Sequence, residues 1–326
     1  MTSTASIQSI LDPISKDMQL VDASIRRALS SEVPLISAIG SYIVGAGGKR
    51  LRPALLLLVA RAHGYDGEHL HDLAAVVEMI HTATLLHDDV VDESELRRGR
   101  QTSNAAYGNA ASVLSGDFLY SRSFQMMVAA GNLRILRILA DATNVIAEGE
   151  VLQLMNMHDP GITVEQYMRV IHDKTATLFE AAARIGAVLA GCDSDAEQRA
   201  GGYGRAVGMA FQLIDDALDY NGNAEQMGKN VGDDLREGKP TLPLIIAMQR
   251  SEGERREMIE QAIRDGNTDE LPRILEVVRE CAGLDEVYEA ARGKLHEARA
   301  LAETMPAGTY RRALIDLCDY SLQRNS

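Results

Sequence analysis

Leu85-Leu86-His87-Asp88-Asp89-Val90-Val91-Asp92-Glu93 places three aspartates at the end of an apolar segment that otherwise reads as a buried helix. The run behind it, Ala74 to Leu86, is almost uncharged and holds neither Gly nor Pro. Its apolar residues recur at helical spacing and also consecutively, which suits a helix buried on most sides. Residues four apart share a helix face, so Asp88 and Asp92 point the same way with Asp89 alongside. Carboxylates this close repel one another and are costly to bury unless a cation sits among them. Magnesium is the natural candidate: it takes oxygen ligands, is held by one or two carboxylates, and completes its shell with water and phosphate oxygens. A solvated acidic helix end is the plainer reading, and this stretch alone leaves both open.

Composition narrows the choice. The chain has 326 residues, 46% of them hydrophobic, with no Trp and only 4 Phe. That supports a large core of helices packed through small side chains. A net charge of -14 argues against nucleic acid and against an anionic membrane surface as partners. Cys192, Cys281 and Cys318 lie far apart, as buried thiols of a reducing compartment do. No secretory signal opens the sequence, and no uncharged apolar run reaches transmembrane length, so a cytoplasmic protein without an integral membrane segment is expected.

In chain order, residues 6–30 and 33–45 carry amphipathic patterns separated by a Ser-Ser-Glu-Val-Pro break. Gly45-Ala46-Gly47-Gly48-Lys49-Arg50-Leu51-Arg52-Pro53 then forms a cationic glycine turn at the head of an apolar helix, Ala54 to Ala62. It lacks the spacing of a P-loop, but backbone N–H groups beside Lys and Arg at a helix start make a diphosphate site. The alternative is a basic surface turn. Arg97, Arg98 and Arg100 follow the aspartates, able either to grip phosphate in forks or to neutralise the acidic residues. Helices are expected over 112–130, 133–158 and Thr163–Ala190, the last opened by a Thr163/Gln166 capping box and containing Lys174-Thr175.

Gln212-Leu213-Ile214-Asp215-Asp216-Ala217-Leu218-Asp219 repeats the first acidic spacing on a second apolar helix. Chance explains one such pentad; two are harder to dismiss. A polar loop with Lys229 and Lys239 follows, then a helix from Thr241 to Arg250, and peripheral helices to the end. No segment has strand periodicity, so the chain is expected to form one all-α domain over 1–326. Two carboxylate triads, a cationic turn and arginines together describe a cavity for two diphosphates, one bridged by magnesium and one bound by cations. Metal-clamped diphosphate is a leaving group, because the ions stabilise the charge that develops on it.

These motifs resemble the trans-polyprenyl diphosphate synthases, in particular the octaprenyl type. The resemblance is carried by Gly47 to Pro53, His81 to Asp92, Arg97-Arg98-Gly99, Lys174-Thr175, Gln212 to Asp219 and Gly228-Lys229-Asn230-Val231-Gly232-Asp233-Asp234. It implies an antiparallel helix bundle around a deep central cavity, the isoprenoid synthase type, as a homodimer. It implies that Asp88 and Asp92, with Asp215, Asp216 and Asp219 opposite, hold Mg2+ on the diphosphate of an allylic substrate, farnesyl diphosphate being the expected primer. Asp89 and Lys174 join the catalytic set, and Arg97, Lys174, Thr175, Gln212, Lys229 and Lys239 complete that site. Lys49, Arg52, His81 and Arg98 would hold isopentenyl diphosphate. The implied reaction is ionisation, condensation and proton loss, repeated to give a lipophilic product for quinone side chains.

Product length has a physical argument of its own. Each helical turn of about 5.4 Å left open below Asp88 admits on the order of one more isoprene unit. Ala83 and Thr84 are small, so the chain should pass, with a floor at Met127, joined by Phe124 and Leu139. The apolar helices of 112–158 also ask for a partner surface. Alternatives are a shorter-chain farnesyl or geranylgeranyl synthase, a terpene cyclase, a non-catalytic partner subunit, and a metal phosphohydrolase. The last would use His87-Asp88 with His63, His69 or His71.

Overall fold

A computed structural model describes residues 6–44, 48–97, 99–221 and 231–323. Among them the expected all-helical chain is found, the exception being a hairpin of two-residue strands, Leu96–Arg97 paired antiparallel with Arg100–Gln101. The chain divides into two compact units that share it in alternation. One takes the residues up to Thr143, Leu178–Gly204 and Arg299–Tyr320; the other takes Asn144–Thr177, Arg205–Ala298 and the last residues. No described helix is long and apolar enough to cross a membrane.

The core of the first unit is the helix Leu51–Ala62, where Pro53 occupies the first turn and every residue from Ala54 to Ala60 is fully buried. Proline is tolerated there because N–H groups of the first turn have no intrahelical acceptor. Beside it runs the 22-residue helix Leu70–Val91, buried at Leu73, Ala74, Ala75, Val76, Val77, Met79, Ile80, Ala83 and Leu86. Its principal neighbour is the helix Asn109–Ala129, which turns Ser112, Ser115, Gly116, Leu119, Ser123 and Met127 inward. That stripe of small residues at spacings of three and four brings the backbones close, and Ser112 Oγ donates to the Leu86 carbonyl at 3.1 Å. The abundance of Ala, Ser and Gly in the composition has its use here. In the same unit the buried Tyr203 hydroxyl donates to the Leu314 carbonyl at 2.9 Å, fixing the C-terminal helix Thr309–Gln323.

The second unit is built on the helix Leu242–Arg250, buried without a break from Leu242 to Met248. The helix Val164–Ile171 packs on it, opened by the expected capping box between Thr163 and Gln166. The expected helix Thr163–Ala190 is not continuous. After Ile171 a π segment, His172–Ala176, interrupts it before the α-helix Thr177–Leu189. Gly149 permits this: a Cβ there would stand 2.8 Å from the Lys174 backbone nitrogen and from Asp173 Cβ.

A buried ion cluster ties three helices of the first unit. Asp17 accepts from Arg61 Nε at 3.1 Å and Nη2 at 2.5 Å, and lies 2.8 Å from His71 Nε2. Burial works to raise the Asp17 carboxyl, but the bonds from Arg61 and His71 overcome it and hold the group below its ordinary value. A carboxyl held low in the folded state stabilises fully above its unfolded value of about 3.9, and that stability fades as pH falls through the folded value. Asp17→Asn should therefore cost about 3 kcal/mol in urea unfolding at neutral pH, with the deficit closing below pH ~4. Equal stability of the two proteins at pH 7 would refute this role.

Candidate active site

The first pentad closes the helix Leu70–Val91. Asp92 is its C-cap, with its N–H on the Asp88 carbonyl at 2.8 Å, so Asp88 and Asp92 stand one turn apart on one face. Both are half-buried. Asp89 is different: it is 4% exposed and takes Arg97 Nη2 at 2.6 Å and Nε at 2.8 Å. Arg97, expected on substrate, comes from the hairpin and is turned onto this carboxylate. Burial raises the Asp89 carboxyl, and the charges of Asp88 and Asp92 add to that, against the pull of Arg97. Asn104 Nδ2 donates to the carbonyls of Asp89 and Ser94 at 3.1 Å each, tying the helix end to the segment that follows it. His81, Asp89 and Arg97 also line a cavity of about 110 Å³ in this unit, with Met79, Thr82, Leu85 and Phe118 among its apolar walls.

The cationic turn divides its labour. Arg50 adopts a left-handed φ of 46° and pairs with Asp22 at 3.1 Å, a structural use. Lys49 and Arg52 lie over aromatic rings instead: Lys49 Nζ is 5.9 Å from the Tyr320 ring centre, and the Arg52 guanidinium carbon is 4.4 Å from that of Phe179. Such faces stabilise a cation without neutralising it. Arg98, Lys229 and Gly45, Ala46 and Gly47 lie outside the described residues.

The second pentad repeats the division of the first. Asp215 and Asp219 are half-buried, and Asp216 is 5% exposed. Asp216 was expected among the metal ligands; its two oxygens accept from Tyr167 Oη at 2.6 Å and Gln212 Nε2 at 2.7 Å. Thr175 Oγ1 donates in turn to Gln212 Oε1 at 2.9 Å, so Thr175, Gln212 and Asp216 form one chain. Burial, foremost, and the charge of Asp234 raise Asp216 above the ordinary carboxylate range, against the two hydrogen bonds. Asp219 accepts from the N–H groups of Asp233 at 3.3 Å and Asp234 at 3.1 Å, which start the short helix Asp233–Arg236.

In the same unit Lys174 projects from the π segment to Glu150 Oε2 at 2.7 Å and Gln153 Oε1 at 2.5 Å. Lys239 is 8% exposed, with Nζ 2.6 Å from Glu237. Single π turns inside α-helices often mark functional positions. Sequence reasoning missed the π turn, along with Tyr167, Tyr320 and Phe179. No local signal marks them, since each meets its partner across the fold.

Three further expectations concern the wall below Asp88. Ala83 is fully buried, and Thr84 turns its hydroxyl onto the His81 carbonyl at 2.7 Å. Met127 and Leu139 are buried, whereas Phe124 is 40% exposed and faces outward, so it does not belong to an internal floor. His87 does not assemble with other histidines: its ring meets the Val113 carbonyl, and His71 is committed to Asp17.

Among the described residues no three carboxylates, histidines or cysteines converge closely enough to hold an ion unaided. Hard oxygens offered in pairs one turn apart fit magnesium, which draws its other ligands from water and phosphate.

Known proteins bear on this arrangement. The Polyprenyl synthetase family model matches residues 33–280. Octaprenyl diphosphate synthase of Escherichia coli is 52% identical over 98% of this chain and 99% of its own. The all-trans-nonaprenyl-diphosphate synthase (geranyl-diphosphate specific) of Rhodobacter capsulatus is 45% identical over 97% of this chain and 98% of its own. In structure, polyprenyl synthase from Caulobacter crescentus superposes with a TM-score of 0.95 at 44% identity, covering all of both chains, and has the all-α isoprenoid synthase fold. The chain belongs to the polyprenyl synthetase family and is a prenyltransferase of the long-chain trans-polyprenyl kind.

Proposed function

We propose that this prenyltransferase extends farnesyl diphosphate with isopentenyl diphosphate to an all-trans octaprenyl diphosphate, as one synthase domain. The observation that carries the site assignment is the repeated division of labour in the pentads. In each, the first and last aspartates are left partly open and the second is buried on a partner. Asp88 and Asp92, with Asp215 and Asp219, would hold magnesium on the allylic diphosphate. Asp216 would join them chiefly by fixing its neighbours. The Caulobacter crescentus enzyme was crystallised with calcium and isoprenyl diphosphate, a comparable pairing of hard cation and prenyl diphosphate.

When bound, the ions would take up negative charge on the departing diphosphate. Lys174 and Lys239, with Arg97, Thr175, Gln212 and Lys229, would position that diphosphate. Lys49, Arg52, His81 and Arg98 would hold isopentenyl diphosphate without a metal. The allylic C1–O bond breaks with its electron pair leaving on diphosphate. The isopentenyl double bond then attacks C1 through its C4, and a proton is lost from its C2. An apolar wall beside the leaving group keeps water from the cation.

The chain would act as a homodimer in the cytoplasm, supplying side chains of quinones. Leu114, Val128 and Leu133, exposed by 66%, 65% and 81%, offer one apolar surface for the partner. Ala83, Thr84 and Met127 would set the length, with Met127 as floor.

Incubation with farnesyl diphosphate, labelled isopentenyl diphosphate and magnesium should give one product near C40. Chelator should abolish it, and Asp88→Ala should slow it by about a hundredfold or more. Products stopping at C15 or C20 would overturn the length assignment; no incorporation by the wild type would overturn the function. Tyr167→Phe leaves a buried acceptor of Asp216 unserved and should destabilise the protein by about 1–3 kcal/mol in urea while raising the magnesium needed for half-maximal rate. An unchanged magnesium requirement would separate Tyr167 from the site. Met127→Ala should lengthen the product by at least one isoprene unit, and an unchanged length would remove it from the floor.

A further inference from the structure

His87 immediately precedes the first pentad, and nothing in the proposed reaction employs it. It projects about 100° around the helix from Asp88, toward the helix Asn109–Ala129. Its Nε2 donates to the Val113 carbonyl at 3.1 Å and lies 3.4 Å from Asp117 Oδ1. The ring stacks on Tyr120, with centres 6.1 Å apart and planes at 11°. Beneath the ring the neighbouring helix has Gly116, where a Cβ would stand 2.2 Å from Nε2 and 2.6 Å from Cδ2. A glycine inside a helix costs about 1 kcal/mol relative to alanine. The space it leaves is the seat of the imidazole.

This seat matters because of where it lies. Asp88, Asp89 and Asp92 crowd the last turn of a helix, the turn with the fewest backbone hydrogen bonds. Mutual repulsion favours unwinding that turn to separate them. Contacts that oppose this include Ser112 on the Leu86 carbonyl, His87 on Val113, Asn104 on the Asp89 carbonyl and Arg97 on the Asp89 carboxylate. Among them, His87 adjoins Asp88 and reaches with its own side chain to the helix Asn109–Ala129. With the ring seated, rotation or fraying of the turn would have to drag an imidazole out of a slot cut to its shape. We propose that His87, seated over Gly116, is a positioning residue that fixes the direction in which Asp88 and Asp92 present their carboxylates. The inference rests on reading those two aspartates as ligands of a magnesium–diphosphate pair.

The test measures binding rather than turnover. Calorimetry with farnesyl thiodiphosphate, an unreactive allylic analogue, gives its dissociation constant with and without magnesium; isopentenyl diphosphate without metal is the control. His87→Phe keeps a ring but no donor, and Gly116→Ala evicts the ring. Each should weaken magnesium-dependent binding of the analogue about tenfold, as a displaced positioning group does. Isopentenyl diphosphate binding should stay within twofold of the wild type. His87→Gln, which retains a donor for Val113, should recover most of the affinity. Gly116→Ala should add nothing in a His87→Ala background, since residues that act through one contact are not additive. Wild-type affinity in His87→Phe would overturn the proposal. So would additive effects of the two sites, or equal weakening of the analogue and the control. Analogue binding by the wild type that ignores magnesium would instead overturn the reading of Asp88 and Asp92 beneath it.

Discussion

Both pentads stand at the carboxyl end of a long helix, Leu70–Val91 and Ser194–Asp219, where unpaired carbonyls make the field least hospitable to negative charge. A carboxylate near that end is disfavoured by about 0.3–1 kcal/mol, and neighbouring carboxylates repel one another besides. Aspartates in such a place destabilise their helix unless something compensates. Much of the structure around each pentad is that compensation, and the remainder of the charge is what a hard cation could answer.

The two solutions differ in kind. Asp89 is matched by a full charge, Arg97, delivered by a hairpin of two short strands. Asp216 is matched by neutral donors, the Tyr167 hydroxyl and the Gln212 amide, and the nearby Asp234 adds repulsion. A guanidinium compensates for burial but brings its own desolvation. Neutral donors orient the carboxylate and leave its charge largely unanswered. Under the proposed function the second pentad would therefore depend more than the first on cations arriving with the ligand. Asp219 moderates this by accepting the N–H groups that begin Asp233–Arg236, using the positive end of one helix to offset the negative end of another.

The helices Leu51–Ala62 and Leu70–Val91 were legible because their apolar residues run without Gly or internal breaks, and the capping box at Thr163 and Gln166 is a local signal by nature. The pentads were legible because a helix that buries its apolar residues and still repeats a carboxylate triad calls for a cation. The π turn at His172–Ala176 was not, since it answers the close approach of Gly149, more than twenty residues earlier in the chain. By type and spacing Arg97 can either grip phosphate or neutralise the aspartates, and only the fold shows Asp89 facing it. Tyr167 and Asp216 are 49 positions apart, and neither carries a mark of the other. Residue types announced the chemistry, and tertiary partners decided which of the aspartates are buried and which stay half-exposed.

The cations follow a related logic. In a chain of net charge -14, basic groups gathered for an anion are readily claimed by carboxylates first. Arg97 on Asp89, Lys174 on Glu150 and Lys239 on Glu237 are held in this way. Under the proposed function a diphosphate would share those groups with carboxylates, which would weaken their attraction and make a metal the stronger source of affinity. Lys49 and Arg52 also lie over the rings of Tyr320 and Phe179, faces that orient a cation. Aromatic faces at one group and carboxylates at the other bring together residues drawn from distant parts of the sequence, which is why neither arrangement is written in any one stretch of it.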